Sequence, residues 1–446
     1  MAVRESAPRP EDGAAVASPE NAEPNSHGLR GALWGPTAIP YWIGATRIAL
    51  GVIFAHLIVV LAPGSRQHLP GGALSNSSWL GAFDRWDSAY YLGIAQHGYP
   101  INSPAHLAAF FPGYPVLVAI VHGASFGTVS FLDAALVVSW VAFIGASVLL
   151  YRLATRLFGQ RVGLVATLLF CWFPTSLFFL SPYSEALFAF EILAVATLIE
   201  RKRFLAAALV AAFASATSPE SVALSLAVVV AALLARRGVV RSLLCGAISA
   251  AGLIAYSSFL WVQFGHPLEF ITVQKYWMRS EHWPFVGLYR NVLALLHFRA
   301  SVAPSIPSNT NIHAVWILDD AALVVAVALL VALVTMWAAP WRVPHPGEER
   351  LTDGSGRERG AVPVTFVVVM LVIVGLAACT TISPYALPTY ASSEGQARFI
   401  SVVFPLYISA ALLVRRYAAL ICLAVGGSVV LALLFQAMYN LGYWVT

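Results

Sequence analysis

Apolar residues along this chain come in long blocks, broken by short polar joints that carry most of the arginines. The blocks run for roughly 16–24 residues, the length that crosses about 30 Å of hydrocarbon as a helix. Spans are expected at about 39–62, 131–152, 162–181, 184–199, 203–217, 219–235, 242–263, 314–338, 362–382, 399–414 and 418–440. That makes an all-α polytopic membrane protein of about eleven transmembrane helices.

One apolar block is left over, Phe110 to Phe126, with Pro112 and Pro115 at its start. Whether it spans decides the orientation of everything after it. If it does not, and the N-terminus is cytoplasmic, fifteen basic residues lie inside and seven outside. The inside groups are Arg152, Arg156, Arg161; Arg201, Lys202, Arg203; Arg236, Arg237, Arg241; Arg342, Arg350, Arg357, Arg359; and Arg415, Arg416. The outside ones are Arg66, Arg85, Lys275, Arg279, Arg290, Arg299 and Arg398. Basic residues in short loops favour the cytoplasmic side, so the first count is preferred. Phe110–Phe126 is then a juxtamembrane or re-entrant helix on the outer face, and the C-terminus is extracytoplasmic.

Three outer segments follow, 63–130, 264–313 and 383–398, and one longer inner linker, 339–361. Residues 1–37 are rich in Pro, Ala, Glu, Asn and Ser and lack an apolar signal-peptide core, so they read as a disordered cytoplasmic tail. Residues 38–446 read as a single transmembrane domain.

Composition agrees with this organisation. Of 446 residues, 59% are hydrophobic and only 11% charged, against about 25% charged in a soluble domain. The net charge of +5 is nearly all arginine, which membrane orientation explains without nucleic acid. Cys171, Cys245, Cys379 and Cys422 each lie in an apolar block without CxxC spacing, so they read as small hydrophobes. No HExxH or HxxxH pair and no phosphate-binding glycine loop is present, so no metal site or cofactor is expected. A divalent ion held by Asp84, Asp87 and a phosphate remains open.

Candidate chemistry gathers in the outer segments. Phe83–Pro100 reads FDRWDSAYYLGIAQHGYP. As a helix it places Trp86, Tyr90 and Ile94 on one face and Asp84, Asp87 and Tyr91 on another. Such a helix lies in the outer interface, with Asp87 at headgroup depth. Its acids read either as solvated interfacial charges or as functional ones. Glu185, with Tyr183 and Ser184, opens a span, where a carboxylate either complements the helix dipole or faces a ligand. Glu191 lies deeper in the same helix. The segment HPLEFITVQKYWMRSEHWPF interleaves Lys275, Arg279 and His282 with Tyr276, Trp277 and Trp283. It reads as an interfacial aromatic belt or as a phosphate- and sugar-binding rim. Arg398 opens the next-to-last span, where the dipole disfavours a cation, so an anionic partner is suggested.

Together, RWDSAYYLGIAQHGY, AFFPGYPVLV, Phe173-Pro174-Thr175 and Tyr183-Ser184-Glu185-Ala186-Leu187-Phe188 resemble the signature of the PIG-V mannosyltransferase family. The resemblance runs in order from about Phe83 to Phe213. It implies a GT-C-like bundle with outer juxtamembrane helices in the first extracytoplasmic loop. It implies an inverting glycosyltransferase that moves a sugar, mannose in kind, from a polyprenyl-phosphate donor to a glycolipid or glycan acceptor in a cell (plasma) membrane. Asp87 is then the expected catalytic base, with Asp84 second. Arg85, Trp86, Tyr183, Glu185, Lys275, Arg279 and Arg398 are expected to bind substrate. The competing class is a multi-span transporter or lipid flippase. That class wants its polar residues at mid-membrane on broken helices.

Overall fold

The computed structural model describes residues 36–61, 79–100, 105–277, 279–280, 325, 383–384, 396–442 and 445. The chain divides into Met1–Ile39, described only from Pro36, and Pro40–Thr446. Apart from residue 325, the expected spans 314–338 and 362–382 and the linker 339–361, with nearly all of the tail 1–37, lie outside the described residues.

Helices dominate. They are α1 (Ile39–Leu61), α2 (Ser88–His97), α3 (Gly113–Ala124), α4 (Phe131–Phe158), α5 (Gln160–Cys171), α6 (Glu185–Glu200) and α7 (Phe204–Thr217). They continue as α8 (Val222–Leu234), α9 (Val239–Ser249), α10 (Ala251–Phe264), α11 (Glu269–Thr272), α12 (Gln396–Ile400), α13 (Pro405–Val414) and α14 (Ala418–Asn440). Among the described residues, α1, α4 and α14 are each long and apolar enough to cross a membrane, and α9 with α10 forms a fourth candidate bent by 48°. The chain is a multi-pass membrane protein. The other expected spans in the described region appear as shorter apolar helices, so the count of eleven is a sequence expectation.

Three differences from the periodic reading have local causes. Span 162–181 stops at Cys171 and resumes as a 3-10 turn, Ser176–Phe179, because Pro174 and Pro182 cannot continue a helix. Span 399–414 breaks between α12 and α13, with Pro405 opening the second piece. An antiparallel pair of two-residue strands joins β1 (Arg279–Ser280) to β2 (Ser383–Pro384), in the register Arg279↔Pro384. The all-helical expectation had no place for it, since two residues leave no period to read.

The block Phe110–Phe126 forms α3. At 1.5 Å per residue its 12 residues reach about 18 Å, short of a bilayer core. Its start is locked from both sides. A Cβ on Gly113 would stand 2.5 Å from Thr217 Oγ1 and 2.8 Å from the Ala216 carbonyl, so only glycine lets α3 sit on the end of α7. The fully buried Tyr114 donates to the Ala135 carbonyl of α4 at 2.9 Å and meets Ser139 Oγ at 2.9 Å. One large core runs through α4, α5, α6, α7, α8 and α13. A smaller core of Ala108, Phe111, Tyr256, Leu260, Phe270 and Val273 lies beneath the second outer segment.

Candidate active site

The acid-bearing motif folds as a turn, not as one helix from Phe83. A 3-10 helix covers Trp79–Phe83, and α2 begins only at Ser88. Between them Trp86 takes a left-handed backbone, φ 56°, which a bulky residue rarely adopts. Strain of this kind costs on the order of 1–3 kcal/mol and persists where surrounding contacts enforce it. Here it turns the chain so that Asp84 and Asp87 part company.

Asp84 points inward. It is 2% exposed, and its Oδ1 accepts the Ser88 hydroxyl at 2.6 Å. Burial pushes its carboxyl above the usual value, while Ser88 and Arg85 pull it back. Arg85 folds over its own turn, donating to the carbonyls of Gly81 at 2.7 Å and Asp84 at 2.9 Å. These two residues, expected as second base and phosphate ligand, lie within the scaffold of the turn.

Asp87 occupies the N-cap position of α2 yet makes no capping bond. Its carboxylate reaches across the fold to Arg398, whose Nη1 donates to Oδ2 at 2.6 Å. The Nε–H of the same guanidinium donates to Glu185 Oε1. One buried cation therefore sits between two carboxylates that come from α6 and from the head of α2. Glu185 Oε2 is buried and accepts no bond. Two of the five guanidinium N–H donors are taken by carboxylates, which leaves others for a further anion.

Tyr183 assembles this cluster. Its hydroxyl accepts the Asp87 backbone N–H at 3.2 Å and donates to the Arg85 carbonyl at 2.9 Å. Its ring lies 4.7 Å beneath the Arg398 guanidinium, with Phe178 at 5.3 Å. At 1% exposure Tyr183 positions the site from below. Tyr91 meets Ser184 at 2.9 Å, and Thr175 Oγ1 donates to the Ala397 carbonyl at 2.9 Å, which fixes the backbone beside Arg398. From α14, Tyr439 donates to the carbonyl of Phe83 at 2.9 Å.

Of the expected residues, Asp87, Glu185, Tyr183 and Arg398 come together. Asp84, Arg85 and Trp86 frame the turn beside them. Lys275 lies in the 3-10 helix Val273–Trp277 and Arg279 in β1, and their side chains lie outside the described residues. Among the described residues no three potential metal ligands cluster.

Sequence reasoning missed Arg47. It is fully buried in α1, donates to Ser176 Oγ and to Gln436 Oε1 at 3.0 Å, and lies 4.9 Å over the Trp172 ring. The signal was present, for Arg47 is the one arginine inside the first apolar block. A charge at such a place is costly and faces the bundle interior.

Residues 70–244 match the family model described as Mannosyltransferase (PIG-V). Over 146 residues the chain is 34% identical to GPI alpha-1,6-mannosyltransferase 2 of Homo sapiens, covering 30% of this chain and 29% of that protein. The Cricetulus griseus protein of the same name is 33% identical over 144 residues, 30% of this chain and 28% of that one. GPI mannosyltransferase 2 of Drosophila melanogaster is 32% identical over 141 residues, 28% of this chain and 31% of the relative. The chain thus aligns with less than a third of the length of these relatives. A crystal structure of ArnT from Cupriavidus metallidurans bound to undecaprenyl phosphate overlaps 84% of this chain and 60% of that one, at 14% identity and a TM-score of 0.46. An overlap that loose carries no argument about chemistry. The matched segment holds Asp87, Tyr183 and Glu185, and through residues 70–244 the chain is similar to the PIG-V mannosyltransferases.

Proposed function

We propose that this chain is an inverting glycosyltransferase of GT-C type. It moves mannose from a polyprenyl-phosphate donor to a lipid-linked or cell-envelope acceptor on the extracytoplasmic side. The observation that carries this reading is the convergence of Asp87, Glu185 and Arg398. They come from three separate segments, and the arginine count assigns all three to the outer face.

The reaction needs a base at the acceptor hydroxyl and a cation at the leaving phosphate. The acceptor oxygen attacks C1 of the sugar from the face opposite the phosphate. Asp87 takes the hydroxyl proton, and the C1–O bond breaks with its electrons going to the lipid phosphate. Arg398 holds the Asp87 carboxylate in place, and its remaining N–H donors meet the phosphate. Glu185 holds Arg398 from the other side. It also presents a buried, unbonded oxygen at the site, where a sugar hydroxyl can donate. Asp84 is already engaged by Ser88 and supports the turn.

Transfer is measured in membranes supplied with radiolabelled polyprenyl-phosphate mannose and endogenous acceptors. Asp87→Asn is expected to abolish labelling while leaving the amount of folded protein unchanged. Undiminished labelling would remove Asp87 from the mechanism. The labelled product names the acceptor.

A further inference from the structure

A row of rings leads outward from Asp87. Tyr90 lies one turn along α2, and its backbone N–H donates to the Asp87 carbonyl at 3.0 Å. The Tyr90 ring stacks on Phe110 at 4.7 Å and meets His106 edge-on at 5.6 Å. His106 in turn lies flat against Tyr276, 4.4 Å between centroids and 14° between planes. Tyr276 is nonetheless 61% exposed. The row therefore begins one turn along α2 from the candidate base and ends on the exposed ring of Tyr276.

The fold holds this surface in place. His106 sits on the 3-10 helix Ala105–Ala109 and Tyr276 on Val273–Trp277, and both helices rest on the smaller core. Tyr256 donates to the Ala108 carbonyl at 2.9 Å, and Tyr99 to the Phe110 carbonyl at 2.5 Å. Burial lowers the affinity of His106 for a proton, so the imidazole stays neutral beneath Tyr276 near neutral pH. The Tyr90 phenol is pushed up by burial first, then by Tyr276 and Asp87 on either side, which places all three groups in one electrostatic neighbourhood.

We propose that Tyr276, backed by His106, is the floor of a subsite for a pyranose ring of the acceptor, with Tyr90 joining that floor to Asp87. This deepens the glycosyltransferase reading and rests on it. The C–H face of a pyranose is weakly positive and fits the electron-rich face of an aromatic ring. A ring already fixed by a neighbour loses little freedom when a sugar settles on it. The placement selects the acceptor, because the row starts one turn along α2 from Asp87, the group that takes the acceptor's proton. An interfacial belt that only touches headgroups has no need of a continuous path to the candidate base.

Saturation-transfer NMR on the full chain in detergent tests this, with methyl α-D-mannopyranoside as probe. Ring protons are expected to receive saturation from the wild type and from Tyr276→Phe. With Tyr276→Leu, folded by the same thermal transition, the signal is expected to fall by roughly three- to ten-fold. Equal signals from Tyr276→Leu and wild type overturn the assignment. So does the absence of signal from wild type, the outcome for a headgroup belt. Preloading with polyprenyl-phosphate mannose is expected to leave the probe signal in place. Its disappearance would give the ring to the donor and overturn the acceptor assignment. Because the readout is binding, a pyranoside signal alongside absent transfer would fell the transferase reading and leave the sugar subsite standing.

Discussion

At the scale of single residues, the two aspartates of the motif have opposite environments, and charge removal separates them. Asp84 is buried with its proton affinity raised above the usual carboxylate range around 3.8. The folded state therefore holds that proton to higher pH than the unfolded state. The contribution is fully present below the ordinary value and is lost as pH rises through the raised one. At neutral pH the buried carboxyl group is a cost that Asp84→Asn removes, while the amide oxygen still accepts from Ser88. Thermal unfolding is expected to show Asp84→Asn at least as stable as wild type near neutral pH. That advantage shrinks on acidification, and transfer is retained. Arg398 behaves in the opposite way. Removing a cation from between two carboxylates leaves both uncompensated, which costs about 3–5 kcal/mol for a buried pair. Arg398→Met is expected to unfold well below wild type, and Arg398→Met with Glu185→Gln to recover part of the loss. Both acids and the arginine were legible as candidates, since acids in an outer loop and a cation at a helix start are local patterns. Their pairing was not, because a contact 311 residues apart leaves no local trace.

At the scale of elements, the leftover apolar block forms α3, whose 12 residues are as few as those of α5, so its place on the outer face stays an expectation of the arginine count. Its packing hangs on Gly113, the glycine of FFPGYP, which sits against the Ala216 carbonyl and Thr217 Oγ1 of α7. Backbone cannot give way as a flexible side chain can. Gly113→Ala is therefore expected to destabilise by about 1–3 kcal/mol, the usual range for overpacking. A thermal melt in detergent measures it, and an unchanged transition would mean that α3 is not clamped there. The acid-bearing helix was less legible. Alternation of faces carries a helix back to Phe83, whereas the left-handed Trp86 delays its start to Ser88. Periodicity reports which side chains are apolar; it does not report a single backbone reversal held by Tyr183, in the bend before α6, and by Tyr439 of α14.

At the scale of the whole molecule, the site and the topology test each other. The arginine count placed the first outer segment, the 181–184 joint and the 383–398 segment on one side of the membrane. The structure joins the head of α2, the start of α6 and α12 through Asp87, Glu185 and Arg398. A wrong parity after Phe126 alone would set Asp87 across the membrane from Glu185 and Arg398, which pair with one another in the fold, whereas inversion of the whole fold would keep all three together. Such an inversion would put the whole cluster on the cytoplasmic face, away from an extracytoplasmic donor. Orientation therefore needs its own measurement. Thr128 is exposed in the turn after α3, and Ser355 lies in the arginine-rich linker. In intact cells a membrane-impermeant thiol reagent is expected to label Thr128→Cys and to spare Ser355→Cys until the membrane is opened. The native Cys422 is exposed, so it is first replaced by serine to give a clean background. The reverse labelling would move the Asp87–Arg398–Glu185 cluster to the inner face. The donor would then have to be a sugar phosphate presented from the cytoplasm, while the pairing of base and cation would stand unchanged.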